Sequence, residues 1–225
     1  MTTSPPLVID GQAIVTIRNL RIAGGYHNIH IHKAQHVIIA DCELDGPSGI
    51  LGKHVLCDQC AVVEIRRVHC TAGWPTGDGI NLHDCGRGTV EDCSVSGQKR
   101  RDKHDTAVPL VIDGEHSGPV AVRRFKAVGA PAPTITIASG SGHVIEDITG
   151  PAGCLVQIGS VGYKSKPGRV NLKGVPFKRV QSGIDGWLPW VWYDDPKAIS
   201  TSPKPKPAGW SWKRFRAWLA NKLRK

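Results

Sequence analysis

Aromatic side chains are scarce in this 225-residue chain: Phe, Tyr and Trp together make 6%. No stretch is long and apolar enough to read as a membrane-spanning helix. The start, Met1-Thr2-Thr3-Ser4-Pro5-Pro6, lacks the basic and apolar regions of a signal peptide and reads as an extended arm over residues 1–10. The protein is therefore expected to fold in the cytoplasm of the cell that makes it, leaving by lysis if it leaves. Acidic residues are also few, 19 against 29 Lys and Arg, which gives a net charge of +10. From Lys197 onward there are none. Much of the positive excess thus belongs to the tail. With no zinc-finger spacing, RNA-recognition motif or helix-turn-helix rhythm, nucleic acid is not the expected partner.

What the chain does have is one short apolar block written seven times. Val15, Ile17, Leu20 and Ile22 set the pattern apolar-x-apolar-x-x-apolar-x-apolar. It returns at Val37-Ile39-Cys42-Leu44, Val63-Ile65-Val68-Cys70, Gly88-Val90-Cys93-Val95, Val120-Val122-Phe125-Ala127, His143-Ile145-Ile148-Gly150 and Val170-Leu172-Val175-Phe177. The copies recur every 22 to 32 residues, a spacing that belongs to repeat architectures. Shorter runs with period two precede most blocks: Ile29–His32, Ile80–His83, Leu110–Asp113, Thr134–Ile137 and Val156–Ile158. Each repeat therefore reads as strand, loop or bend, strand. Stacking such repeats pairs each strand in parallel with its counterpart about 4.8 Å away. The predicted fold is all-β, a parallel β-helix of about seven coils over residues 11–178.

The bend inside each block carries two polar positions: Arg18-Asn19, Ala40-Asp41, Arg66-Arg67, Glu91-Asp92, Arg123-Arg124, Glu146-Asp147 and Lys173-Gly174. From the third copy to the sixth the sign alternates. Stacked at strand spacing, these residues form a ladder of ion pairs, which favours a structural role over substrate binding.

Aligning Ile31, Val55, Leu82 and Ile112 inward puts His30, His54 and Asn81 in one outward row. His32, Leu56, His83 and Asp113 form the next. Such rows can bind a glycan or a metal, or supply acid and base; the alternative is a solvated polar face. Asp78, in Gly77-Asp78-Gly79, and Asp102 and Asp105, in Arg100–Asp105, are further acid–base candidates for glycoside chemistry or simply shape turns.

Cys42, Cys70 and Cys93 fall in inward columns and read as small buried hydrophobes. Cys57, Cys60, His83 and Cys85 are different, because Cys60 aligns with Cys85 in the adjacent coil. Three readings stay open: a zinc site, a Cys60–Cys85 disulfide, or free thiols.

Residues 179–200 contain Trp187, Trp190, Trp192 and Tyr193 and are expected to cover the open end of the stack or to touch another subunit. Residues 201–209 form a stiff Pro/Lys spacer. Residues 210–225 predict a cationic amphipathic helix whose apolar stripe is Trp210, Trp212, Phe215, Trp218, Leu219 and Leu223. Such a helix can anchor to another protein, lie on a membrane surface, or fold back.

The blocks, with the phrases Gly79–Cys85 and Thr89–Gly97, resemble the right-handed parallel β-helix superfamily of pectate-lyase-like enzymes and bacteriophage tailspikes. That resemblance implies polysaccharide binding, and lyase or hydrolase activity in many members. The catalytic sets of polygalacturonases and pectate lyases have no residue-by-residue match here. Virion proteins of this fold are made without signal peptides and attached through added terminal segments. The resemblance thus points first to a virion spike, decoration or appendage component, fixed to another virion protein by its tail and touching host glycan. Trimerisation follows by analogy with tailspikes. The rival expectation is a small polysaccharide lyase or glycoside hydrolase using Asp78, His83, Asp102 and Asp105; a membrane-active effector is a third.

Overall fold

A computed structural model describes residues 2–4, 6–47, 52–71, 77–98, 107–130, 133–151, 155–159, 167–173, 175 and 191–193. Of 2–4 and 191–193 it describes the backbone alone. All regular structure among them is β, and every pairing between strands is parallel. The coils stack into a solenoid of about six turns. Sheet B has seven strands: Leu7–Asp10, Ile29–His32, Val55–Asp58, Ile80–His83, Leu110–Asp113, Ile135–Ile137 and Val156–Ile158. Sheet A has twelve and carries the apolar blocks, led by the long strands His36–Asp45 and Val62–Thr71.

Each block bends where its two polar residues stand. The second residue of the pair has positive φ in six successive coils: Asn19, Asp41, Arg67, Asp92, Arg124 and Asp147, between 48° and 58°. Asn and Asp tolerate this left-handed conformation; arginine does so at a cost. One such residue turns the chain by a corner while the flanking apolar positions keep pointing inward. The columns they form, such as Val37-Val63-Gly88-Val120 and Ile39-Ile65-Val90-Val122, are in register and almost wholly buried where a side chain exists. Each fully buried Ile, Leu or Val contributes roughly 1.5–3 kcal/mol, so the stack is held along its length by its own interior.

Buried polar side chains close the loops. Asn28 Nδ2 donates to the carbonyls of Gly24 (2.9 Å) and Asp45 (3.0 Å). His54 Nε2 donates to Thr71 O at 3.1 Å, and Gln98 Nε2 to Gly77 O at 2.6 Å. Asn28 and His54 tie the strand-end carbonyls of Asp45 and Thr71, which also accept the Gly24 and Gly46 N–H groups, and Gln98 binds a loop carbonyl.

The first residues are extended but do not hang free. Thr2–Ser4 pairs with Leu20–Ile22, and Leu7–Asp10 opens sheet B beside Ile29–His32. At the other end, part of the aromatic segment forms a strand: Val191–Tyr193 pairs with Val170–Leu172 and extends sheet A by one position. Trp187, Trp190, the spacer 201–209 and the helix predicted for 210–225 lie outside the described residues.

Candidate functional site

Sheet B presents its outward residues in two rows, and both depart from the sequence expectation at the strand Val55–Asp58. Ile31 pairs with Cys57, not Val55, and Cys57 pairs with Leu82. The first row is therefore Val8, His30, Leu56, Asn81, Val111, Thr136 and Gln157. The second is Asp10, His32, Asp58, His83 and Asp113. His54 does not belong to the outward row: it precedes its strand, is fully buried, and spends one ring nitrogen on Thr71. Leu56 belongs to the first row, and Asp58 takes its place in the second.

This alternation of acid and imidazole runs across five coils, roughly 19 Å at strand spacing. His32 Nδ1 lies 2.8 Å from Asp10 Oδ1, and its Nε2 lies 3.7 Å from Asp58 Oδ2. His83 Nδ1 lies 2.9 Å from Asp113 Oδ1, and its Nε2 lies 3.7 Å from Asp84 Oδ2. The hydrogen bond to Asp113, aided by the charges of Asp113, Asp84 and Asp58, raises the His83 pKa despite partial burial. Asp58 Oδ1 and the Oδ1 of Asn81 are buried and have no hydrogen-bond partner.

Asn81 links this row to a second carboxylate. Its Nδ2 stands 3.5 Å from Asp113 Oδ2 and 3.4 Å from Asp78 Oδ2. Asp78 also receives Lys53 Nζ at 3.1 Å and the Val108 backbone N–H at 3.2 Å. Burial nonetheless raises the Asp78 pKa, against the pull of Lys53. The face is open at its first coils, where Val8 is 76% exposed, and closed toward the middle, where Asn81 is 1% and Asp113 6% exposed.

Beside the open end, Tyr26 packs edge-on against His27, and His27 against His30 (centroids 4.6 and 5.4 Å apart). Burial, with His30 and Lys53 nearby, lowers the His27 pKa to about 4.

Asp10, Lys53, Asp58 and Asp84 join the site although they are not among the candidates that the sequence offers. A usable signal existed for Asp58. Ile31 precedes Val37 by the same interval that separates Cys57 from Val63 and Leu82 from Gly88, and that interval selects Cys57 as the inward residue. Asp102 and Asp105 lie outside the described residues, as do Trp210, Trp212, Phe215, Trp218, Leu219 and Leu223.

The cysteines form a different cluster on the interior side. Cys57, Cys60 and Cys85 are buried free thiols. Cys85 Sγ donates to Cys57 O at 3.3 Å, and Cys60 Sγ to Ile31 O at 3.6 Å. Hydrogen bonding to Cys60, then burial, raises the pKa of Cys57 and of Cys85; the same bonds lower that of Cys60. His83 turns to Asp113 instead of joining the sulfurs. Among the described residues no group of three or more His, Cys, Asp or Glu is arranged to hold a metal ion, so these four residues do not fit the tetrahedral zinc geometry.

Parallel coils, a left-handed residue at every bend and outward polar rows define a β-solenoid. The family model described as "Right handed beta helix region" matches residues 7–118. The chain belongs to the right-handed β-helix proteins, with further coils of the same kind beyond the matched part. No curated protein and no solved structure matches it.

Proposed function

We propose that this protein is a glycan-binding β-helix component of a bacteriophage virion, a spike, decoration or tail-associated appendage fastened by its C-terminal segment. The observation that carries the binding half is the Asp10-His32-Asp58-His83-Asp113 row. From Asp10 to His83 it offers a partly exposed hydrogen-bonding side chain at each coil, the repeat a chain of sugar hydroxyls can follow, with Asp113 buried behind His83. The attachment half rests on the sequence of residues 203–225, where a Pro/Lys spacer leads to a cationic amphipathic segment. The test has two arms. His32→Ala and Asp58→Asn should abolish binding to host-surface polysaccharide, measured on immobilised glycan. Deleting 203–225 should abolish incorporation into particles while leaving the solenoid folded. Binding that persists in both substitution variants, or a truncated protein that still assembles, would refute the corresponding half.

One observation favours a second reading, a small polysaccharide lyase or glycoside hydrolase. Asp78 and His83 are displaced from their ordinary pKa values by different causes, burial for the first and a carboxylate partner for the second. Asn81 bridges Asp78 to Asp113, the partner of His83. A buried carboxyl whose pKa is raised and an imidazole backed by a carboxylate are the parts of an acid–base pair. Ultraviolet absorbance of unsaturated products and a reducing-sugar assay on acidic polysaccharides would reveal such activity, and Asp78→Asn and His83→Ala should each remove it.

A further inference from the structure

The bend column on sheet A reads Arg18, Ala40, Arg66, Glu91, Arg123, Glu146, Lys173 in register from coil to coil. Its later half is a closed ladder. Arg123 Nη1 lies 3.2 Å from Glu91, and Arg123 Nε donates to Glu146. Its first half is not. Where alternation calls for an acid between Arg18 and Arg66, the chain has Ala40.

The consequence is visible in the partners. Glu91, the register neighbour of Arg66, is taken by Arg123 and lies 3.7 Å from Arg124. Asp41, the nearest other acid, is gripped by Arg67 through both carboxylate oxygens. Arg18 and Arg66 both stand in the field of Asp41 and lower its pKa after Arg67 has done so, yet neither forms an ion pair or side-chain hydrogen bond with a described residue. The Nε of Arg66 is buried without a partner. Ala40 faces outward by alternation with Val37 and Ile39, yet is only 1% exposed.

We propose that Arg18 and Arg66, flanking Ala40 on the outer face of sheet A, form a binding site for one oxyanion. The two backbones lie two strand spacings apart, roughly 9.6 Å. That separation lets two guanidinium forks converge on a single carboxylate, sulfate or phosphate group between them. Arginine suits this because its planar donors match an oxyanion in pairs. Ala40 puts no carboxylate between the two arginines, and an acidic side chain in its place would satisfy them from within. The site is separate from the sheet B row. That the oxyanion is a carboxylate on an acidic polysaccharide rests on the glycan reading above; the site itself does not.

The experiment uses the full-length protein and follows the arginine Nε–Hε resonances by NMR. Titrants are inorganic sulfate, an acidic oligosaccharide such as oligogalacturonate, and a neutral oligosaccharide of equal length. Sulfate should move the Arg66 and Arg18 signals, and the acidic oligosaccharide should move them at lower concentration. Arg66→Gln and Arg18→Gln should each weaken binding at least about tenfold, while Lys126→Gln, which removes an exposed charge elsewhere, should not. Ala40→Glu should abolish binding and raise the melting temperature, a pair of effects that misfolding cannot mimic. Movement with sulfate but not with the acidic oligosaccharide overturns the polysaccharide as source and leaves the oxyanion site standing. No movement with either titrant, or unchanged binding in Ala40→Glu, overturns the site, whatever becomes of the sheet B row.

Discussion

Arg124 grips Asp92, one coil away, with two arms of its guanidinium: Nε lies 2.6 Å from Oδ1 and Nη2 2.9 Å from Oδ2. Arg67 repeats the same fork on Asp41. All four residues occupy the left-handed bend, with φ between 48° and 58°. The bend holds each arginine beside the carboxylate it pairs with, so backbone conformation and ion pair sustain each other across coils.

Both pairs are solvent-exposed, so salt screens them. Asp92→Asn should lower the melting temperature slightly in low salt, and the difference from the parent should shrink toward zero near 1 M NaCl. Arg124→Val, which places a β-branched residue at positive φ, should cost more than Asp92→Asn, and salt should not erase the excess. Equal, salt-insensitive losses in the two variants would mean the fork contributes nothing.

Close stacking makes particular glycines indispensable for different reasons. A Cβ on Gly118 would sit 1.4 Å from the carbonyl oxygen of Gly86, whereas one on Gly24 meets nothing within 4 Å and faces only its positive φ of 74°. Gly118→Ala should cost about 3 kcal/mol or more in urea unfolding, and Gly24→Ala about 1–2 kcal/mol. The opposite order would place the tight approach between coils elsewhere.

Buried histidines set the acid limit. Burial lowers the His54 pKa to about 4 and lowers that of His143 as well. Because the folded value lies below the unfolded one, near 6.5, the unfolded state binds more protons between the two. Stability is therefore complete above about pH 6.5 and falls as pH drops toward 4. His54 alone accounts for a loss of about 3 kcal/mol across that window. His83 has the opposite sign: its raised pKa adds stability below about pH 6.5 that disappears as pH rises through the folded value. Unfolding midpoints measured between pH 7.5 and 4.5 should fall steeply for the parent and less for His54→Gln. An unchanged slope in that variant would show that His54 is not the group that titrates.

Among the described residues six cysteines are buried free thiols. In the native protein Cys42, Cys57, Cys60, Cys70, Cys85 and Cys93 should resist a thiol reagent such as Ellman's, reacting only on unfolding. Rapid native labelling at Cys60, mapped by mass spectrometry, would contradict its burial.

Most of sheet A was legible from the apolar blocks. Their spacing gave the register of the inward columns and of the charged bend, including Glu91 against Arg66. Side-chain partners were less legible. Arg67 lies between Asp41 and Asp92 and forks onto Asp41, a choice the alternating signs alone do not make. In sheet B the pattern alone puts the third strand, Val55–Asp58, two residues out of register. A slip of two preserves the inward–outward alternation, so Val55 and Cys57 are equally acceptable inward residues by pattern. That slip hid Asp58 and brought His54 to the surface. The strand at Leu7–Asp10 is as long as Ile29–His32, but it follows Pro5-Pro6 and so reads as part of an extended arm.

The most direct measurement is an NMR titration of the full-length protein with host-surface oligosaccharide, following the imidazole resonances of His32 and His83 at neutral pH. Both should shift in step with saturation, while the resonances of buried His54 and His143 stay fixed. Saturable glycan binding that leaves His32 and His83 unmoved would contradict a sugar chain lying along the Asp10-His32-Asp58-His83-Asp113 row.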